Sequence, residues 1–268
     1  MVGLGGFYKP MGIIVSIKDL ADTKYGRAVC YPDYIHDALM KRIGEMRMLG
    51  VRALYFHGSK IVAGVSVLGK GCVGIVVSAI LEGDSMAALK IARTDAEPSR
   101  LIHEAKMLQI ANSVNVGPRL LGYTDNLLMT EYIDGLLLPK WVEGLSGNGG
   151  SVSSRLGAVL RDILEQCWRL DSIGLDHGEL SWADKHIIVD KGDKPHILDF
   201  ETASNRRKVA NVTSVSQYLF VKSRVAETIV KKFRRIDAER LIETLREYKA
   251  EHTREKFENL LKVLGLTI

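Results

Sequence analysis

The segment Gly69-Lys70-Gly71-Cys72-Val73-Gly74-Ile75-Val76 constrains this chain more than any other, because of the residues it leads into. In a dinucleotide-binding unit the last glycine of such a run opens a helix. Here it opens Val76-Val77-Ser78-Ala79-Ile80, a mainly β-branched stretch, then the turn residues Glu82-Gly83-Asp84, then Ala87-Ala88-Leu89-Lys90-Ile91-Ala92. Two apolar runs separated by a tight turn make a β-hairpin. The spacing therefore predicts an antiparallel hairpin with a glycine flap at its start and excludes a dinucleotide-binding fold at this point.

The bulk properties bound the rest. At 268 residues the chain can bury a full core and forms one domain or two. With 46% hydrophobic and 26% charged residues it belongs with globular proteins. A net charge of +5 is compatible with anionic ligands such as nucleotides, but too mild to indicate nucleic acid. Cys30, Cys72 and Cys167 are odd in number and lack metal spacing, which points to a reducing compartment and no zinc site. No apolar run approaches the ~20 residues of a membrane helix. Lys9, Lys18 and Asp19 interrupt the amino terminus, so no signal peptide and no membrane partner are expected, and a cytoplasmic location is.

Helical spacing of Ile35, Leu39, Ile43 and Met46 predicts an amphipathic helix over residues 33–49. After Gly50 the pattern changes to strands at 52–57 and 61–68, the second running into the glycine flap. Next come a helix over 100–112 and strands at 119–123 and 127–131. The run Gly144-Leu145-Ser146-Gly147-Asn148-Gly149-Gly150-Ser151 reads as a surface loop. Beyond it, Leu156, Leu160, Ile163, Cys167 and Leu170 form the stripe of a helix, short strands are expected at 186–189 and 196–199, and the remainder is helical. The expected architecture is α+β in two lobes. Residues 1–60 form an extension with a helix and an extra strand, 61–133 a small β-rich lobe, and 134–268 a mainly helical lobe, with a hinge near Thr130 to Ile133.

Two charged residues sit where apolar ones belong. Lys90 shares its strand face with Ala88 and Ala92, and a hydrated ammonium there needs an anionic partner. Glu104 stands between Leu101 and Leu108, on the apolar side of its helix, and has the mirror problem. Pairing Lys90 with Glu104 resolves both. Later in the chain, His177-Gly178-Glu179-Leu180-Ser181 comes after a helix and before two short strands, and Asp199-Phe200-Glu201 comes after the second of them.

These five features, in this order, resemble the protein-kinase-like superfamily over about residues 65–204. The pattern is most similar to the small atypical kinases of the RIO type and to archaeal predicted serine/threonine protein kinases, with serine after leucine in His-Gly-Glu-Leu-Ser. The resemblance implies a two-lobed kinase-like fold, ATP and Mg²⁺ as cofactors, and transfer of the γ-phosphate to a serine or threonine hydroxyl of a protein, including the chain itself. It places Gly69, Lys70, Gly71, Cys72, Val73, Gly74, Val76 and Ala88 around ATP, Lys90 on its phosphates and Glu104 behind Lys90. Met129, Glu131 and Tyr132 fall at the adenine-binding hinge. Glu179 takes the place of the base, Asp199 that of a metal ligand, and the position of the kinases' second metal ligand, counted from His177, falls on Asp184.

The departures are equally specific. Glutamate stands for aspartate at residue 179, no arginine succeeds His177, Glu201 replaces a glycine, and no Ala-Pro-Glu lies downstream. A nucleotide-binding pseudokinase and a small-molecule kinase on the same fold are the alternatives.

Overall fold

The computed structural model describes residues 12–267, so Lys9, one of the three residues on which the absence of a leader was read, lies outside the described residues. The protein is α+β, with an antiparallel sheet towards the amino terminus and a mainly helical carboxy-terminal region. It divides into two compact units. One takes the described residues up to Ala105 together with Arg119–Tyr132, and the other takes Lys106–Pro118 with the described residues from Ile133 onward. Residues 106–118, assigned from the sequence to the β-rich segment, thus group with the helical one.

In the first unit the elements run β1 (Ile13–Ser16), α1 (Lys24–Val29), α2 (His36–Met48), β2 (Val51–Phe56), β3 (Lys60–Val62), β4 (Val65–Val67), β5 (Gly69–Lys70), β6 (Gly74–Leu81), β7 (Met86–Ala92), the start of α3 (Pro98–Asn112), β8 (Leu120–Tyr123) and β9 (Leu127–Glu131). The main sheet has the order β1-β2-β6-β7-β9-β8, with β5 added on β6 and every pairing antiparallel. Strand periodicity sets its two faces. Ile75, Val77, Ala79, Leu89, Ile91, Leu127 and Met129 are buried on one face in the same cluster as Leu39, Ile43 and Met46 of α2. The boundary drawn at residue 60 therefore does not divide the core: α2 and β2 close it. Ile35, read as the first residue of the helical stripe, is instead the exposed residue preceding α2.

A second correction concerns residues 61–68, expected as one strand. They belong to two, β3 and β4, joined at Ala63 and Gly64, whose φ values of +47° and +75° are both left-handed. That is the geometry of a two-residue hairpin turn, in which alanine is an unusual occupant of the first position.

The second unit contains the last residues of α3, β10 (Gly135–Leu137), α4 (Leu138–Gly144), α5 (Gly149–Ser172), β11 (Ile187–Asp190), β12 (Pro195–Ile197), α6 (Asn211–Phe220), α7 (Arg224–Lys232), α8 (Ala238–Ala250) and α9 (Arg254–Leu264). Strands β10, β11 and β12 form a small antiparallel sheet. The loop read over 144–151 is shorter than expected, because Gly144 ends α4 and Gly149 begins α5. The Asn148 side chain accepts from the Ser151 amide at 2.9 Å and caps α5. Burial of Leu156, Leu160, Ile163, Cys167 and Leu170 outweighs the roughly 1 kcal/mol that each leading glycine costs a helix. Among the described residues no helix is long and apolar enough to cross a membrane.

Candidate functional site

Each unit carries one set of the residues singled out above. In the first unit, β5, β6 and β7 shape the glycine flap. Gly69 and Lys70 pair with Val76 and Ile75, and the Gly71 amide donates to the Gly74 carbonyl at 2.8 Å. Gly74 is required by close approach, since a Cβ there would lie 2.6 Å from the Ile91 carbonyl oxygen. Cys72 is exposed as a free thiol. Val73, expected beside the nucleotide, is a core residue: it is fully buried with Ala92, Leu101, Ala105 and Leu128, and its carbonyl accepts from the Arg93 amide at 2.8 Å. The flap is therefore pinned at Val73. Lys70 lies over the Tyr31 ring, 4.5 Å from its centroid, with Arg93 at 5.0 Å from the same ring. The cation at Lys70 pulls the Tyr31 phenol below its ordinary range.

Behind the flap, Val76 lies opposite Lys90, and Lys90 opposite Leu128. Ala88, half-buried, lies opposite Ser78 and Thr130 on the same sheet face. Lys90 Nζ donates to Glu104 Oε2 at 2.7 Å, and the two side chains are only 11% and 6% exposed. In a pair so far removed from water each charge offsets part of the desolvation cost of the other.

The hinge expectation needs correction at one residue. Met129 lies within β9, opposite Leu89 of β7 and Gly122 of β8, with its side chain in the α2 core. It does not stand at the end of the strand. Glu131 closes β9 and donates its amide to the Arg119 carbonyl at 2.9 Å, and Tyr132 comes next with its ring 6.4 Å from that of His57.

In the second unit, the loop after α5 is held from below. Asp171, buried near the end of α5, accepts from the Asn211 amide (3.0 Å), the Asn211 side chain (2.8 Å), the Val212 amide (3.2 Å) and the Tyr248 hydroxyl (2.9 Å). Burial pushes its carboxyl up, while these bonds hold it down. Asn211, 1% exposed, also donates to the Leu175 carbonyl at 2.7 Å and accepts from the His177 amide at 2.8 Å. Asp176 bridges to Ser204, accepts from the Ala210 amide at 2.9 Å and pairs with Arg207. Burial pushes His177 down to about 4, so its ring is neutral at physiological pH. One ring nitrogen, Nε2, donates to the Leu198 carbonyl at 2.9 Å, which leaves Nδ1 as the acceptor facing the Glu179 amide at 3.4 Å. Phe200 packs on that ring, with centroids 5.0 Å apart.

This framework sets three ligating side chains together. Glu179, His186 and Asp199 each place one such atom within 4.8 Å of the others. Asp199 is held at φ +67°, left-handed and costly for a residue with a side chain. The adjacent Leu198 is clamped by its amide to the His186 carbonyl at 2.8 Å and by its carbonyl to His177.

Asp184 does not fit the metal role assigned to it by counting. It is exposed, its Oδ1 accepts from the Tyr218 hydroxyl at 3.1 Å, and among the described residues it joins no group of three ligating side chains. The 3-10 stretch Leu180–Lys185 is kinked at Trp182 (φ −132°, ψ 52°), and His186 stands directly after it. Sequence reasoning missed His186, Asn211 and Asp171. The two-residue offset between Asp184 and His186 is the signal that could have found the first; the others are brought in by packing.

No protein-family profile matches the chain. A 75-residue stretch is 35% identical to an uncharacterized protein of Methanocaldococcus jannaschii, covering 28% of this chain and 63% of that relative. The match thus spans less than two thirds of the relative's length.

Proposed function

We propose that the chain is an ATP- and divalent-cation-dependent kinase that transfers the γ-phosphate to a serine or threonine hydroxyl of a protein. On this reading the two units are the small and large lobes of a protein-kinase-like fold, in the cytoplasm. The observation that carries it is the buried Lys90–Glu104 pair behind a glycine hairpin, at 2.7 Å. A lysine buried on a sheet face and oriented by a carboxylate is suited to phosphate oxygens, whose charge it neutralises without the reorganisation water would need.

The second unit supplies the remaining groups. Glu179 is positioned by the His177 ring and is the base that takes the proton of the acceptor hydroxyl. The new bond joins that oxygen to the γ-phosphorus as the bond to the leaving nucleoside diphosphate breaks. Asp199 would hold a divalent cation, Mg²⁺ by resemblance, which would supply positive charge to the phosphates. Asp184, tied to Tyr218, is dropped from that set.

The test is label transfer from γ-labelled ATP, comparing the wild type with Asp199→Ala and Lys90→Met. Label on polypeptide that disappears in both variants supports the reading. Label on a small acceptor would move it to a small-molecule kinase. ATP binding with no transfer to any acceptor would favour a nucleotide-binding pseudokinase.

A further inference from the structure

We infer that Glu179, His186 and Asp199 form a divalent-cation site with an imidazole ligand, suited to an ion of the Mn²⁺ class, and that His186 holds the place that spacing assigned to Asp184. One ligating atom of each side chain lies within 4.8 Å of the other two, so small side-chain adjustments bring all three onto a single ion. Acidic residues near one another do not by themselves make a site; the imidazole does the discriminating. His186 is 2% exposed, and its Nδ1 is buried without a hydrogen-bond partner. Its Nε2 stands 3.6 Å from Glu179 Oε2, longer than a hydrogen bond but ordinary for two atoms sharing one ion. A buried ring left short of partners is a burden that structures retain where the group has work to do.

The ligand chemistry selects the ion. Mg²⁺ favours oxygen ligands in a near-ideal octahedron, whereas an imidazole moves preference towards Mn²⁺, Fe²⁺, Co²⁺ or Zn²⁺. Two carboxylates beside the one nitrogen keep the site hard, which makes Mn²⁺ the best match of these. Glu179 turns Oε2 towards His186, leaving Oε1 for an acceptor proton. The site itself rests on these three side chains. Its use in phosphoryl transfer, with Mn²⁺ preferred to Mg²⁺, rests on the kinase reading above.

The experiment uses the full chain and Mn²⁺ alone, without nucleotide. Electron paramagnetic resonance titration counts bound ions, and electron spin-echo modulation reads whether a nitrogen is a ligand. One Mn²⁺ per chain with ¹⁴N coupling is expected. His186→Asn should remove the coupling and weaken binding by about ten-fold or more, as should the half-exposed Glu179→Gln for affinity alone. Asp184→Asn should change neither. Bound Mn²⁺ without ¹⁴N coupling, release of the ion by Asp184→Asn, or no bound Mn²⁺ at all would each overturn the inference. Because no turnover is read, a chain that binds Mn²⁺ through His186 yet transfers no phosphate keeps this site and loses the kinase reading.

Discussion

Replacing Asn211 with alanine tests the anchoring of the Glu179 loop most directly. The Asn211 side chain makes three buried hydrogen bonds, to the Asp171 carboxylate (2.8 Å), the Leu175 carbonyl (2.7 Å) and the His177 amide (2.8 Å). Alanine removes all three and leaves the Leu175 carbonyl and His177 amide without that partner. Each orphaned backbone group costs about 1–3 kcal/mol, and the lost bond to a carboxylate about 1.5–3 kcal/mol. Allowing for water entering the space, the expected loss is roughly 3–5 kcal/mol. Trp141, Trp168 and Trp182 all lie in the second unit, so tryptophan fluorescence during urea unfolding reports that unit alone. At a urea slope of about 2 kcal/mol per molar, the midpoint should fall by roughly 2 M. A fall of less than about 0.5 M would mean that the loop does not depend on Asn211 and that the network is not its anchor.

Three further outcomes are expected. Lys90→Met and Glu104→Leu should each lower stability by roughly 3–5 kcal/mol because each breaks a buried ion pair, while the double variant should recover most of it and still fail to transfer phosphate; calorimetry that finds the double variant no better than the singles would refute the pairing. Gly74→Val, whose Cβ would meet the Ile91 carbonyl at 2.6 Å, should cost at least about 2 kcal/mol, whereas Gly71→Ala, with its nearest neighbour at 3.6 Å, should stay within about 0.5 kcal/mol; equal thermal shifts would place the flap differently. Asp193 is held below the ordinary carboxylate range, first by Arg155 and further by the Trp141 indole. A depressed value makes the bond's contribution complete above the ordinary range and lost as pH falls through the lower folded value. Since Arg155 and Asp193 are 48% and 28% exposed, screening limits that contribution to roughly 0.5 kcal/mol. The difference between Arg155→Ala and wild type should therefore be full at about pH 7 and shrink as pH falls below the ordinary carboxylate range; a difference that stays constant with pH would show that the bond contributes nothing.

Local pattern carried much of this protein. The β6–β7 hairpin, the stripe of α5 and the Lys90–Glu104 pair are all legible in residue spacing, because each depends on neighbours within a few turns or on the mismatch of one charge with one apolar face. Spacing failed where long-range packing overrode it. Val73 and Met129 look like flap and hinge residues, yet each faces a core that their own segments do not reveal. The loop at 144–151 was shortened by a side-chain cap and by burial further along the helix. Asp184 and His186 differ by two positions, and only the folded loop, kinked at Trp182, shows that His186 is the one grouped with Asp199. Periodicity and desolvation act along the chain, so strands, helices and the charges that require partners can be read from residue order alone. Which atoms converge is settled in three dimensions. A buried hub such as Asp171 with Asn211 and Tyr248 joins residues far apart in the chain, and no local preference encodes that meeting.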